Sequence, residues 1–296
     1  MNYLKRPWKH DPRSKKFSHH KLFGTVPQAT LPETLGRPRQ HVFNQGMTLR
    51  CTGYGSAANG SYIHGRAFSP DWSAYKIGVK QGKSVDEGGG DPNATMKHQR
   101  DDGFLPLEDA PYSLERNGAQ GSGMYAGWPA ELDEKAKKFD TVPGFVRVDG
   151  PYDTFDNIRV ALHLACDPVT KFGATVDAFG RWFAEWSSAP RGIVPSTYKS
   201  FIGYHRYIFI DWVTIDGKEY LVAHNSGGTG IGDGGFFYFD RDTVNREFSQ
   251  WGTTLKIVKT LTPEQIAEAK KETTLGRAWR ALIDLWYVIS LIFGRV

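Results

Sequence analysis

Cysteine is scarce: the 296 residues contain two, Cys51 and Cys166. A disulfide framework is thereby excluded, one bridge being the most that could form, and a reducing compartment is the expectation. No cysteine–histidine group has zinc-ligand spacing, so no metal site and no cofactor are expected. Long apolar runs are also lacking. The stretch from Ala281 to Phe293 has 13 residues with Asp284 inside, against the roughly 20 that span a bilayer. It reads as a helix that packs on this chain or a partner, or lies in a membrane interface. The N-terminal charges have no apolar stretch behind them, so no secretory signal is expected.

A basic body is missing too. The formal net charge is +5, but residues 1–23 carry seven lysines and arginines against Asp11, a net +6, which leaves −1 for the rest. The basic character thus belongs to a tail suited to an acidic membrane surface or protein assembly. Nucleic acid is a further acidic partner that such a tail can contact, and the one least expected.

What is present is a globular composition, with 40% apolar and 14% aromatic residues, together with 33 glycines and 16 prolines. The chain divides into a basic, proline-rich extension (1–38), a main domain (39–258) and a C-terminal helical, apolar segment (259–296). In the first half, helix is expected from Asn59 to about Lys80 with a break. Ser69 caps its second part and Pro70 takes the first helical position. Pro92–Arg100, Pro129–Lys138 and Thr154–Cys166 read as further helices. Phe145–Val148 alternates like a strand. Strands are expected at Phe172–Val176, Tyr204–Thr214, Glu219–His224 and Gly235–Phe239, which are dense in aromatic and β-branched residues. Thr262 opens a last helix. A helical first half and an antiparallel second half give an α+β class.

The chemistry centres on Asn44–Ala57. Gln45 stands six positions before Cys51 among glycines. Two readings are open for Cys51: a small buried hydrophobe, or a nucleophile at a helix start, where the dipole favours a thiolate. A nucleophile needs a base, and the base an orienting group. His205 lies in one strand and Asn225 just past another, with Asp216-Gly217 as a hairpin turn between them. With the turn centred there, position 205 falls opposite about 228, so the ends bearing His205 and Asn225 converge. Gly230-x-Gly232-x-x-Gly235 satisfies a dinucleotide pattern, but a strand follows it where a helix is needed.

These pieces occur in the order found in papain-family cysteine peptidases. Asn44-Gln45-Gly46 followed by Cys51 resembles that family's nucleophile block. Ser69-Pro70 resembles its next helix start, and Gly89-Gly90 its substrate-pairing segment. Tyr220 to Phe237 resembles its Asn-Ser block and final strand. The resemblance covers about 40–245. It implies a two-lobed papain-like fold, with Cys51, His205, Asn225 and Gln45 as catalytic residues and Gly89 and Gly90 binding an extended polypeptide substrate. The implied activity is endopeptidase cleavage through an acyl-enzyme. Two other readings share that frame: a binding or assembly protein without chemistry, and an acyl-transferring or amide-cleaving enzyme. The pattern departs at Thr52 and Gly227, where the family carries aromatic residues, and at Arg50, where Ser is common.

Overall fold

The computed structural model describes residues 26–111, 128–140, 145–148, 150–249 and 255–258. The expected Thr262 helix, the apolar stretch 281–293 and the tail 1–23 lie outside these residues.

The helical half begins with α1 (Cys51–His64), α2 (Pro70–Gln81) and α3 (Pro92–Asp101). Each start has a local cause. Ser69 accepts the Trp72 amide ahead of Pro70. Asp91 accepts the amides of Asn93 and Ala94 at 2.8 and 2.9 Å ahead of Pro92, satisfying donors that a helix end leaves bare. Helix α1 begins eight residues earlier than Asn59. Its many glycines and small residues suggest a loop, yet the helix is buried almost throughout. Small side chains are what let its neighbours approach, and that packing outweighs poor helix propensity.

After α4 (Glu131–Lys137), β1 (Phe145–Arg147) and α5 (Thr154–Ala165) comes β2 (Val176–Phe183). The strand expected at Phe172–Val176 is therefore displaced. Lys171 and Gly173 take positive φ values of 62° and 148°, which turn the chain there instead. A short helix α6 (Ala184–Ser187) precedes β3 (Phe201–Ile215), β4 (Lys218–His224) and β5 (Phe236–Asp240), and α7 (Arg241–Ser249) and β6 (Leu255–Val258) follow. The sequence reading contained no counterpart of α7. The strands form one antiparallel sheet in the order β1-β6-β2-β3-β4-β5. This is the α+β arrangement expected.

Both faces of the central strands are covered, which explains why β3, β4 and β5 bury side chains on both sides. Tyr207, Phe209, Leu221, Phe237 and Phe239 face a large core shared with Phe155, Ile158 and Phe248. Ile208, Ile210, Val222 and Tyr238 face the other way, onto Ala58 and Tyr62 of α1. The apolar face of β3 thus lies against the helix that begins at Cys51.

The hairpin turns where expected, with Asp216 and Gly217 at φ 51° and 77°, the left-handed pair of a type I′ turn. A bulge between Phe209 and Asp211 changes the register: Asp211 pairs with Val222, but Ile208 with His224. Continued to His205, the second register points to 227, not 228. The Asp211 carboxylate freed by this bulge accepts the amides of Leu35 and Arg37 at 2.8 and 3.2 Å. It thereby fastens the segment 34–37 to the β half, with Leu35 in the main core.

Candidate active site

The site forms where 43–45 crosses 226–228. Asn44 bridges Gly227, the Gly228 amide donates to the Phe43 carbonyl at 3.1 Å, and the Gln45 amide to the Ser226 carbonyl at 2.8 Å. This crossing brings Gln45 beside Asn225 although 180 positions separate them in the chain. The Gln45 side chain is fully buried and held at both ends. Its Nε2 donates to the Thr48 carbonyl at 2.8 Å, and its Oε1 accepts the Ser226 hydroxyl at 2.5 Å.

His205 and Asn225 are joined by a 2.6 Å bond between Nε2 and Oδ1. The Ser226 amide also donates to Asn225 Oδ1, at 2.7 Å, which identifies that atom as the acceptor. Nε2 must then carry the proton, so in a neutral ring Nδ1 is the base. The bond is sheltered by Trp182 of β2, whose ring centroid lies 5.3 Å from that of His205, with Tyr207 5.4 Å away on another side. Gly227 contributes no ring where an aromatic was expected; the tryptophan comes from a neighbouring strand instead.

Cys51 opens α1 and is almost fully buried. Burial pushes its thiol up to about 11, opposed by the nearby backbone and charge of Arg206. The Arg206 side chain donates to the carbonyl of Thr52, the residue after Cys51, so β3 meets the start of α1 one residue from His205. Burial likewise pulls His205 down to about 4, opposed by its bond to Asn225. The buried pair therefore rests as neutral thiol and neutral imidazole.

Arg50, just before Cys51, is wholly buried and ties the nucleophile loop to its surroundings. It reaches Asp86 at 2.7 Å and Asp71 at 3.4 Å. This fastens the loop to the turn Val85–Glu87 that leads into Gly89-Gly90. Gly90 lies against Thr52: a Cβ there would collide with the Thr52 side chain. Gly90 thus adjoins the residue that follows Cys51, and the Gly89 carbonyl accepts Gln81 Nε2 at 3.1 Å.

The structure brings together Cys51, Gln45, His205, Asn225 and Gly90. The glycines of 230–235 lie in the turn between β4 and β5, and no helix follows them. Trp182, Ser226 and Arg206 were not singled out from the sequence. Ser226 was legible as the neighbour of Asn225, whereas the other two needed the pairing of β2 with β3. Among the described residues, no group of three His, Cys, Asp or Glu side chains could hold a metal. No described helix is long and apolar enough to cross a membrane.

No family model matches the chain, and no curated protein sequence matches it. Solved structures do match. Xylellain, a cysteine protease from Xylella fastidiosa, aligns at a TM-score of 0.67 and 19% identity, covering 88% of this chain and 96% of its own. Digestive procathepsin L 3 of Tenebrio molitor larval midgut aligns at 0.56 and 14%, covering 87% and 75%. Procathepsin B S9 from Trypanosoma congolense aligns at 0.57 and 13%, covering 84% of each. The fold is that of the papain-like cysteine proteases.

Proposed function

We propose that this protein is a cysteine endopeptidase that cleaves polypeptides in extended segments. The observation that carries the reading is the sheltered His205–Asn225 pair, with His205 on a strand whose next residue grips the first turn of the helix that Cys51 opens. His205 Nδ1 takes the Cys51 proton as the sulfur attacks a peptide carbonyl, while Nε2 keeps its proton and donates it in the hydrogen bond to Asn225 Oδ1. Of the two Gln45 Nε2 protons, one goes to Thr48. The other, with the Cys51 amide, serves the oxyanion. His205 returns its proton to the leaving amine, then deprotonates the water that releases the acyl group. Gly89 and Gly90 supply backbone groups to the extended substrate. The basic and apolar terminal segments are suited to tethering at an assembly or membrane surface. Both cysteines are free thiols, which suits a reducing compartment.

A second reading has one observation in its favour. The neutral resting pair could mark a binding or assembly protein whose cleft does no chemistry.

A thiol-reactive peptidyl epoxide separates the two. The endopeptidase reading expects a mass adduct at Cys51 in the wild type and none in His205→Ala. No adduct in reduced wild-type protein sinks it. Acyl transfer to added amines in preference to water would assign the same intermediate to a transferase.

A further inference from the structure

Arg206 follows His205 on β3, so its side chain leaves the opposite face of the strand, toward α1. It is almost completely buried. Burying an uncompensated guanidinium would cost several kcal/mol, so its partners are informative. Nε donates to Asp177 Oδ1 at 2.8 Å, and Nη2 reaches the same oxygen. Nη1 donates to the Thr52 carbonyl and, at 2.8 Å, to Ser56 Oγ. One side chain therefore spans β3, β2 and the first turn of α1.

Two further facts show that the seat is built. A Cβ on Gly55 would stand 2.8 Å from Arg206 Cδ and 2.9 Å from Nε, so only glycine leaves room for the guanidinium beside the helix. The contact also continues as a buried chain of hydrogen bonds. Gln99 of α3 donates to Ser56 Oγ at 3.0 Å, Asn59 donates to Gln99 at 2.9 Å, and Thr175 Oγ1 donates to Asn59 at 2.9 Å. Thr175 lies two residues before Asp177, so the chain closes back on β2. Polar networks of this kind in a low-dielectric interior hold one geometry strongly.

Resting on the endopeptidase reading above, we infer that Arg206 is a positioning residue, its guanidinium locked by Asp177 and gripping the first turn of α1 so that the Cys51 sulfur is held in register with His205. Its side chain thus holds the helix that carries the sulfur, from a strand position next to His205. Its charge also lies near enough to favour the thiolate. The other charged or titratable groups around this seat are Cys51 on α1, His205 on β3, Asp177 on β2 and His98 on α3, while Arg50, just before Cys51, is paired with Asp71 of α2 and Asp86.

The test is the rate of Cys51 alkylation by iodoacetamide from about pH 6 to 12, a window that spans the raised thiol titration, with the adduct located by mass spectrometry and folding followed by thermal melts. Arg206→Met removes charge and fork. Its rate at neutral pH is expected to fall about tenfold or more, with the titration midpoint moved upward. Arg206→Lys keeps a charge but loses the planar fork. It is expected to restore the midpoint while leaving the plateau rate low. Arg241→Met, in a surface ion-pair cluster, should change neither. A folded Arg206→Met with wild-type plateau and midpoint overturns the inference, as does a lowered melting temperature with an unchanged profile. If Arg206→Met does not fold, Arg206→Lys decides alone, and a wild-type plateau in it is the overturning result. Absence of alkylation in the wild type at every pH instead overturns the endopeptidase reading.

Discussion

The Ser226 hydroxyl and the Gln45 carbonyl oxygen are joined by a 2.5 Å hydrogen bond across 181 positions of sequence. Ser226 thereby fixes which end of the Gln45 amide is oxygen, and its own amide fixes Asn225 in the same way. One residue orients both Gln45, the proposed oxyanion donor, and Asn225, the partner of the proposed base.

Ser226→Ala should therefore lower kcat through Gln45 without touching substrate. Gln45→Ala removes the donor itself, a loss of about 10²–10³ in kcat, and Ser226→Ala should cost less. The double variant should be no slower than Gln45→Ala alone, because both act through one amide. Full additivity of the two losses in turnover of a peptide substrate would contradict this coupling.

Asn225→Ala should leave His205 free to rotate and take either tautomer. A loss of about 10²-fold in kcat is expected, the lower part of what positioned acid–base groups contribute. Asn225→Asp puts a negative charge at 2.6 Å and should raise the His205 pKa from its depressed value of about 4. Imidazole NMR titration reads that shift, and a value unmoved in Asn225→Asp refutes it.

Trp182 has both a packing and a sheltering role. It is buried among His205, Trp186, Tyr207 and Phe237. Trp182→Ala should cost about 3–5 kcal/mol of stability and admit water to the His205–Asn225 bond. Trp182→Phe should recover most of the stability. Chemical denaturation measures both, and equal losses in the two variants would show that ring volume is not what matters there.

Arg50→Met should destabilise by about 3–5 kcal/mol, since it leaves the carboxylates of Asp71 and Asp86 facing a buried seat without their cation. Adding Asp86→Leu should restore part of the loss. Urea melts of the single and double variants check this, and an equal or larger loss in the double variant would contradict the ion-pair account.

Acid should destabilise the fold through its buried histidines. Burial holds His205 at about 4 and His224 at about 3, against 6.5 in the unfolded chain. Between those values the unfolded chain binds more protons. The stability is present above pH 6.5 and is lost as pH falls toward 4 and then 3. His224→Gln keeps a hydrogen-bonding group for Tyr62, 3.2 Å away, but cannot titrate. It should flatten the loss between pH 6.5 and 4.5 by on the order of 2 kcal/mol. An unchanged slope would mean that His224 is not held neutral.

The sequence by itself determined the α+β class, the cap at Ser69, the hairpin at Asp216-Gly217, and the residue types in order from Gln45 to Asn225. These are legible because caps, turns and periodicity are local, acting over a few residues. It did not reveal where α1 starts, because its glycines argue locally for a loop and only the packing of α2 and β3 makes a buried helix of them. Nor did it reveal Trp182 as the shelter for His205 or Arg206 as the link to α1. Both depend on β2 pairing with β3 and on which face of β3 each side chain leaves. A bulge at Asp211 sets the final register of the hairpin, and no local signal marks it. Tertiary structure decided these points because each contact joins elements far apart in the chain, and its partner is fixed only when the sheet and the helix are packed together.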